Sequence, residues 1–117
     1  MTVQLDKAMA EIVDALTAAG VRASADERDM NPPAAYVSVR RLAWDRLAGY
    51  SMDVAVYAVV PNTGRLPALA ALGPMVEQIR AVWPAASATA EDLYPLDSGD
   101  PLPAFRFDLS VTVDDDD

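Results

Sequence analysis

"AAYVSVRRLAWDRLAGYSMDVAVYAVV", residues 34–60, is the stretch on which the fold turns. Ala35, Val37 and Val39 alternate with Tyr36, Ser38 and Arg40, a period of two that marks a strand with one buried face. After a connector, "WDRLAG" at 44–49, the alternation resumes: Met52, Val54, Val56, Ala58 and Val60 fall on one side and Ser51, Asp53, Ala55, Tyr57 and Val59 on the other. Two long antiparallel strands are predicted, and "PNTG" at 61–64 closes the second with turn chemistry, proline first and glycine last.

C-terminal to the hairpin, Leu69, Leu72, Val76, Ile79 and Trp83 recur at helical spacing over 66–83. Gly73-Pro74 interrupts that span, so either a kink or a break into two helices with Pro74 at the first position of the second is expected. "SATAEDLY" at 87–94 is a weak strand, and "PLDSGDPLP" at 95–103 is a loop. Phe105, Phe107, Leu109, Val111 and Val113 then alternate with Arg106, Asp108, Ser110 and Thr112 in the clearest strand of the chain, which should pair well or lie centrally.

On the N-terminal side, "DERDMNPP" at 26–33 is a loop, since two prolines cannot continue a central ladder, and "VRASA" at 21–25 is a short strand. Leu5, Met9, Ile12, Val13 and Leu16 form the apolar stripe of an amphipathic helix, with Thr2 a candidate for its start and Gly20 for its end. The order α-β-β-β-α-β-β predicts an α+β fold: a mainly antiparallel sheet with two helices packed on one face. One domain spans 1–113, and Asp114 to Asp117 are read as an acidic, solvated tail. The other sheet face, with Tyr36, Arg40, Asp53 and Tyr57, is expected to lie exposed and to suit a partner.

The 117 residues are 52% hydrophobic and 23% charged, the composition of an ordinary globular domain. The strongest apolar run, "VAVYAVV" at 54–60, is far shorter than the roughly 20 residues of a membrane helix, and the N-terminus does not look like a signal peptide. No membrane association and synthesis in the cytoplasm are therefore expected. The sequence contains neither cysteine nor histidine, which removes disulfides, thiolate chemistry and the commonest neutral-pH base and metal ligand. Lys7, the only lysine, sits on the amphipathic helix. The formal net charge is −9, and removing the four terminal aspartates leaves −5, so adhesion to a phosphate backbone is disfavoured.

Three clusters could carry chemistry. Asp92, Asp97 and Asp100 around Ser98-Gly99 do not have the spacing of a calcium loop and read as turn residues. Asp26, Glu27 and Asp29 around Arg28 have neither pocket nor oxyanion donor and read as a solvated loop. Arg40, Arg41 and Arg46 surround Trp44; they could stack on nucleic acid, offset nearby acids, or pair with an acidic patch on an identical neighbour. No enzymatic activity, cofactor or metal is expected. Pro32 and Pro33 stiffen the loop that carries Arg28, Asp29 and Asn31, which lowers the entropy lost if that loop docks.

The helix ending in "AAGVRAS", the "DERDMNPP" segment running into "AAYVSVRRL", the "WDRLAGY" connector, the strand ending in "VVPNTG" and the Ala/Leu-rich helix together resemble the tail terminator proteins of long-tailed, siphovirus-type phages of actinobacteria. The likeness covers nearly the whole chain, and its most specific part is Asp26 to Pro33 with the strand after it. The resemblance implies a ring, a hexamer, that caps the finished tail tube, ends tube polymerisation and joins the tail to the head-neck. The partners it implies are other copies of the chain, the tail tube protein and a head-neck connector protein. DNA would pass through the lumen without specific binding. The site implied is the tail-neck junction of the virion, after assembly in the host cytoplasm. A closing ring needs two different complementary patches per subunit. Candidates are the basic Arg40, Arg41, Trp44 and Arg46 region and the acidic Glu91, Asp92, Asp97 and Asp100 region. The same residues allow another neck component, a head-closure or tail-completion protein, or a non-viral small-molecule binding module.

Overall fold

The computed structural model describes residues 2–3, 5–26, 33–45, 49–93, 101–113 and 115–116. In chain order the elements are β1 (Thr2–Val3), α1 (Leu5–Ala18), β2 (Ala23–Ser24), β3 (Ala34–Asp45), β4 (Gly49–Val59), α2 (Arg65–Val82), β5 (Ala88–Leu93), β6 (Leu102–Val113) and β7 (Asp115–Asp116). Five strands form one sheet in the order β2-β3-β4-β6-β5, and β1 pairs with β7 in a separate two-residue ladder. Apart from β1 and β7, the order is the predicted α-β-β-β-α-β-β. All neighbours in the main sheet are antiparallel except β2 and β3, which run parallel over Ala23 to Ala35 and Ser24 to Tyr36.

α1 forms where its stripe predicts: Ile12 and Leu16 are buried, and Leu5, Met9 and Val13 pack around them. Its end is a Schellman motif. Val21 N–H donates to the Leu16 carbonyl at 2.9 Å and Gly20 N–H to the Thr17 carbonyl at 3.0 Å, with Gly20 at φ +91°. Thr2, expected to cap the helix start, instead belongs to β1, opposite Asp116. The predicted strand over 21–25 shrinks to two residues, since Val21 is still closing the helix.

α2 is one continuous helix with Pro74 inside it, so of the two outcomes expected at Gly73-Pro74 the break does not occur. Pro74 and Ala70, whose carbonyl loses its amide partner to the proline, both lie on the exposed side, where water can serve that oxygen. The buried stripe is Ala68, Leu72, Met75 and Ile79. Relative to the expected stripe it is turned by about one residue: Leu69 is 46% exposed, Val76 half-buried, and Ala68 and Met75 take their places.

The helices cover one face of the sheet, and the main core lies between these layers. Val37, Met52, Val54, Val56, Phe107, Leu109 and Val113 meet Ile12, Leu16, Leu72 and Ile79 there. Registers explain the composition of this face: Val37 opposes Val56, which opposes Phe107, and Val39 opposes Val54, which opposes Leu109. β6 is paired on both sides, as its strong alternation predicts. β3 and β4 each extend further toward the hairpin tip than expected, to Asp45 and from Gly49, so Trp44 is a strand residue and not part of the connector.

The opposite sheet face differs from expectation. Ala55, Tyr57, Val59 and Ala104 are buried there, with Tyr36, Leu93 and Leu102 packed against them. Tyr57 is only 6% exposed and its ring stacks on Tyr36 at 6.1 Å between centroids. These two tyrosines cover the small side chains beside them instead of standing free.

Candidate interaction surfaces

β3 contains an irregularity on which the whole basic region depends. Val39 pairs with Val54 and Arg41 with Asp53, so Arg40 is an extra residue with no partner on β4, a β-bulge. Strict alternation from Ala35, Val37 and Val39 would turn Arg41 toward the helices. The bulge shifts the phase by one, placing Arg41 opposite Asp53 on the helix-free face and Leu42 opposite buried Met52 on the helix face. Both arginines thereby escape the core and lie exposed. Trp44 follows on the helix face, 72% exposed and tilted against Tyr50 at 6.4 Å.

Of β3, only Ala35 and Tyr36 have a strand on the outer side, because β2 is two residues long. Among the described residues, the outer backbone edge from Val37 to Asp45 pairs with nothing. At the far side of the sheet, among the described residues, β5 pairs only with β6, and nothing described covers its outer edge. Ala88, Thr89 and Ala90 on that edge are exposed, and no proline or bulge protects it. Glu91 and Asp92 stand on the same strand. The described members of the basic and acidic patches, Arg40, Arg41 and Trp44 on one side and Glu91 and Asp92 on the other, therefore occupy two opposite edges of one sheet.

Arg106, opposite Tyr57 on β4 and Thr89 on β5, binds the acidic side internally. Its Nη1 donates to Glu91 Oε2 at 3.2 Å and Oε1 at 3.3 Å. Its Nε lies 3.2 Å from Asp108 Oδ1 without hydrogen-bond geometry, which makes that contact electrostatic. Asp108 first, and Glu91 second, raise the pKa of Arg106 above its ordinary value and keep the guanidinium charged. Sequence reading passed over Arg106 as an outward residue of an alternating strand; only the register brings Glu91 to it.

Between the first half of α2 and the β5–β6 edge lies a cavity of about 320 Å³, whose apolar wall includes Ala68, Leu69, Leu72, Ala90 and Phe105. Leu69 and its 75%-exposed neighbour Leu66 stand at the helix start beside it. This surface was missed from sequence, because Leu69 was assigned to the core.

Of the other residues singled out from sequence, Arg28, Asp29, Asn31, Arg46, Asp97 and Asp100 lie outside the described residues, as does most of the loop at 26–33. Arg40, Arg41 and Trp44 come together on β3, and Glu91 and Asp92 on β5, a full sheet-width away. Among the described residues there is no cluster of His, Cys, Asp or Glu suited to a metal ion, and no helix is long and apolar enough to cross a membrane. No protein-family model, curated protein or solved structure matches this chain.

Proposed function

We propose that this chain is a structural subunit of a phage tail, a tail terminator that forms a ring on the end of the tail tube, stops further addition of tube subunits and presents a surface to the head-neck proteins. The supporting observation is the separation of charge across the sheet. Arg40 and Arg41 lie at one open edge and Glu91 and Asp92 at the other, and among the described residues neither arginine forms a direct ion pair, although Asp53 stands opposite Arg41. A subunit with two different complementary edges makes head-to-tail contacts, and such contacts close into rings when the rotation per subunit allows it. An isologous dimer through either edge would set like charges against each other and leave both copies of the other patch unmatched.

The remaining features agree with a scaffold role. The acidic body repels the DNA that would pass through the lumen. The sheet and its two helices would form the wall of such a ring, and the likeness of "DERDMNPPAAYVSV" to tail terminators supports a place at the end of the tail. The test is negative-stain electron microscopy, with mass measurement, of the purified chain alone and after addition to tubes assembled from the cognate tail tube protein. Rings of uniform subunit number, seated on tube ends and arresting tube growth, are expected. A chain that stays monomeric in both samples and leaves tube length unchanged would sink the reading.

A further inference from the structure

Deepening that reading, we propose that successive subunits join by strand addition: the Arg40–Trp44 edge of β3 pairs antiparallel with β5 of the next copy, and Leu42 and Trp44 of the first cover the cavity beside β5 of the second. The directions are compatible. β3 runs antiparallel to β4, β4 to β6 and β6 to β5, so a copy placed in the same orientation brings its β5 antiparallel to β3.

The side-chain faces fix the register to alternate choices. On β5, Ala88 opposes Phe107 and Ala90 opposes Phe105, which puts Ala88, Ala90 and Asp92 on the helix face and Thr89, Glu91 and Leu93 on the other. On β3 beyond the bulge, Leu42 and Trp44 are on the helix face and Arg41 and Ala43 on the other. Keeping the faces continuous and opposite charges opposed gives Arg41 to Glu91, Leu42 to Ala90, Ala43 to Thr89 and Trp44 to Ala88, with bulged Arg40 beside Asp92. Leu42 then faces Ala90 at the cavity wall. The indole of Trp44, diagonal to Ala90, is within reach of the same cavity. An exposed tryptophan meets a hollow with an apolar wall and a polar rim of Asn62, Arg65, Glu91 and Asp92, which the described residues of the isolated subunit leave open.

The stagger also suits closure. Within one subunit Glu91 is level with Ala104 on β6, whereas Arg41 is level with Ser110, through Asp53. The offset from residue 104 to 110 corresponds to about 20 Å along the strand, against about 19 Å across the four strands β3, β4, β6 and β5. The ratio gives a strand tilt of about 45°, at the upper end of the tilts of closed sheets.

The absence of native cysteine makes the test clean. An Ala43→Cys/Thr89→Cys chain, oxidised after assembly, should give a ladder of covalent oligomers ending at the ring mass. Ala43→Cys/Ala90→Cys, one residue out of register with side chains on opposite faces, should not. Trp44→Ala, which costs the monomer only the contact with Tyr50 because the side chain is 72% exposed, should weaken assembly at least tenfold while shifting the monomer melting by a few degrees at most. Rings that form without the 43–89 cross-link overturn strand pairing while leaving the ring reading intact. Cross-linked open chains that never close support the pairing and overturn the ring. A chain that assembles in neither way, alone or with tubes, removes both.

Discussion

Gly20 and Gly73 lack the same side chain for different reasons. Gly20 sits at φ +91° in the Schellman turn, where a Cβ would also meet Gln78 Nε2 at 3.1 Å. The amide can swing away, so backbone strain dominates, and Gly20→Ala is expected to cost about 1 kcal/mol, roughly 4 °C in thermal melting. Gly73 has ordinary helical φ and open space around it, yet precedes Pro74, whose ring crowds the Cβ of a preceding helical residue. Helix propensity and this crowding oppose each other in Gly73→Ala alone. Pro74→Ala restores the amide to the Ala70 carbonyl and should stabilise the chain by ~1–3 kcal/mol. In that background Gly73→Ala should add about 1 kcal/mol, while in the native background it should add nothing; a double-mutant cycle by chemical denaturation reads the difference. An additive result would mean that proline crowding is not why glycine stands there.

At the scale of elements, the bulge in β3 decides which residues reach solvent. Deleting Arg40 removes the extra residue and leaves Val39 beside Val54 and Arg41 beside Asp53 in an uninterrupted ladder. The expected loss is within about 1 kcal/mol. Deleting Ser38 can be absorbed only by cancelling the bulge, which turns Arg40 toward Val54 and Val39 outward. That position, now Val39's, is 44% exposed, so Arg40 can reach water from it, and the expected cost is the lost packing of Val39 on Val54 together with a bulky apolar residue at the Ser38 position, about 1–2 kcal/mol and more than for the Arg40 deletion. Equal melting temperatures for the two deletions would contradict this account of the bulge. The alternation in 34–60 thus made the hairpin legible, but not the change of phase within it. "VSVRRLAW" reads equally well with Arg41 or Leu42 inward until Met52 and Asp53 are set opposite them. The stripe of α2 was likewise legible as a period but not as an angle, because Ala68 and Leu69 fit it about equally and only the docked helix shows that Ala68 is the buried one.

The whole molecule is longer than a compact chain of its size. Its radius of gyration is 14.9 Å, against about 13.4 Å expected, and its longest dimension is 48 Å. Twelve-residue strands extending about 40 Å account for that axis. Assembly of such bodies sets two electrostatic effects against each other. Net charges of −9 repel over tens of ångströms, beyond the roughly 10 Å Debye length at 0.1 M salt, whereas Arg41 and Glu91 would attract within contact distance. Assembly by light scattering should therefore strengthen from 0.01 M to about 0.15 M salt and weaken again near 1 M. A monotonic fall from the lowest salt would place long-range attraction, not contact pairing, in control. From the sequence alone came the α+β class, the order of elements, the hairpin, the well-paired last strand and the candidate charge patches, because periodicity and turn residues act locally. Only the tertiary structure decided that β2 is too short to cover β3, that Tyr57 is buried, that Glu91 meets Arg106, and that Arg40 and Arg41 lie at the opposite edge of one sheet from Glu91 and Asp92. Those facts depend on register and strand order, which bring together residues far apart in the chain and leave no trace in any single stretch of it.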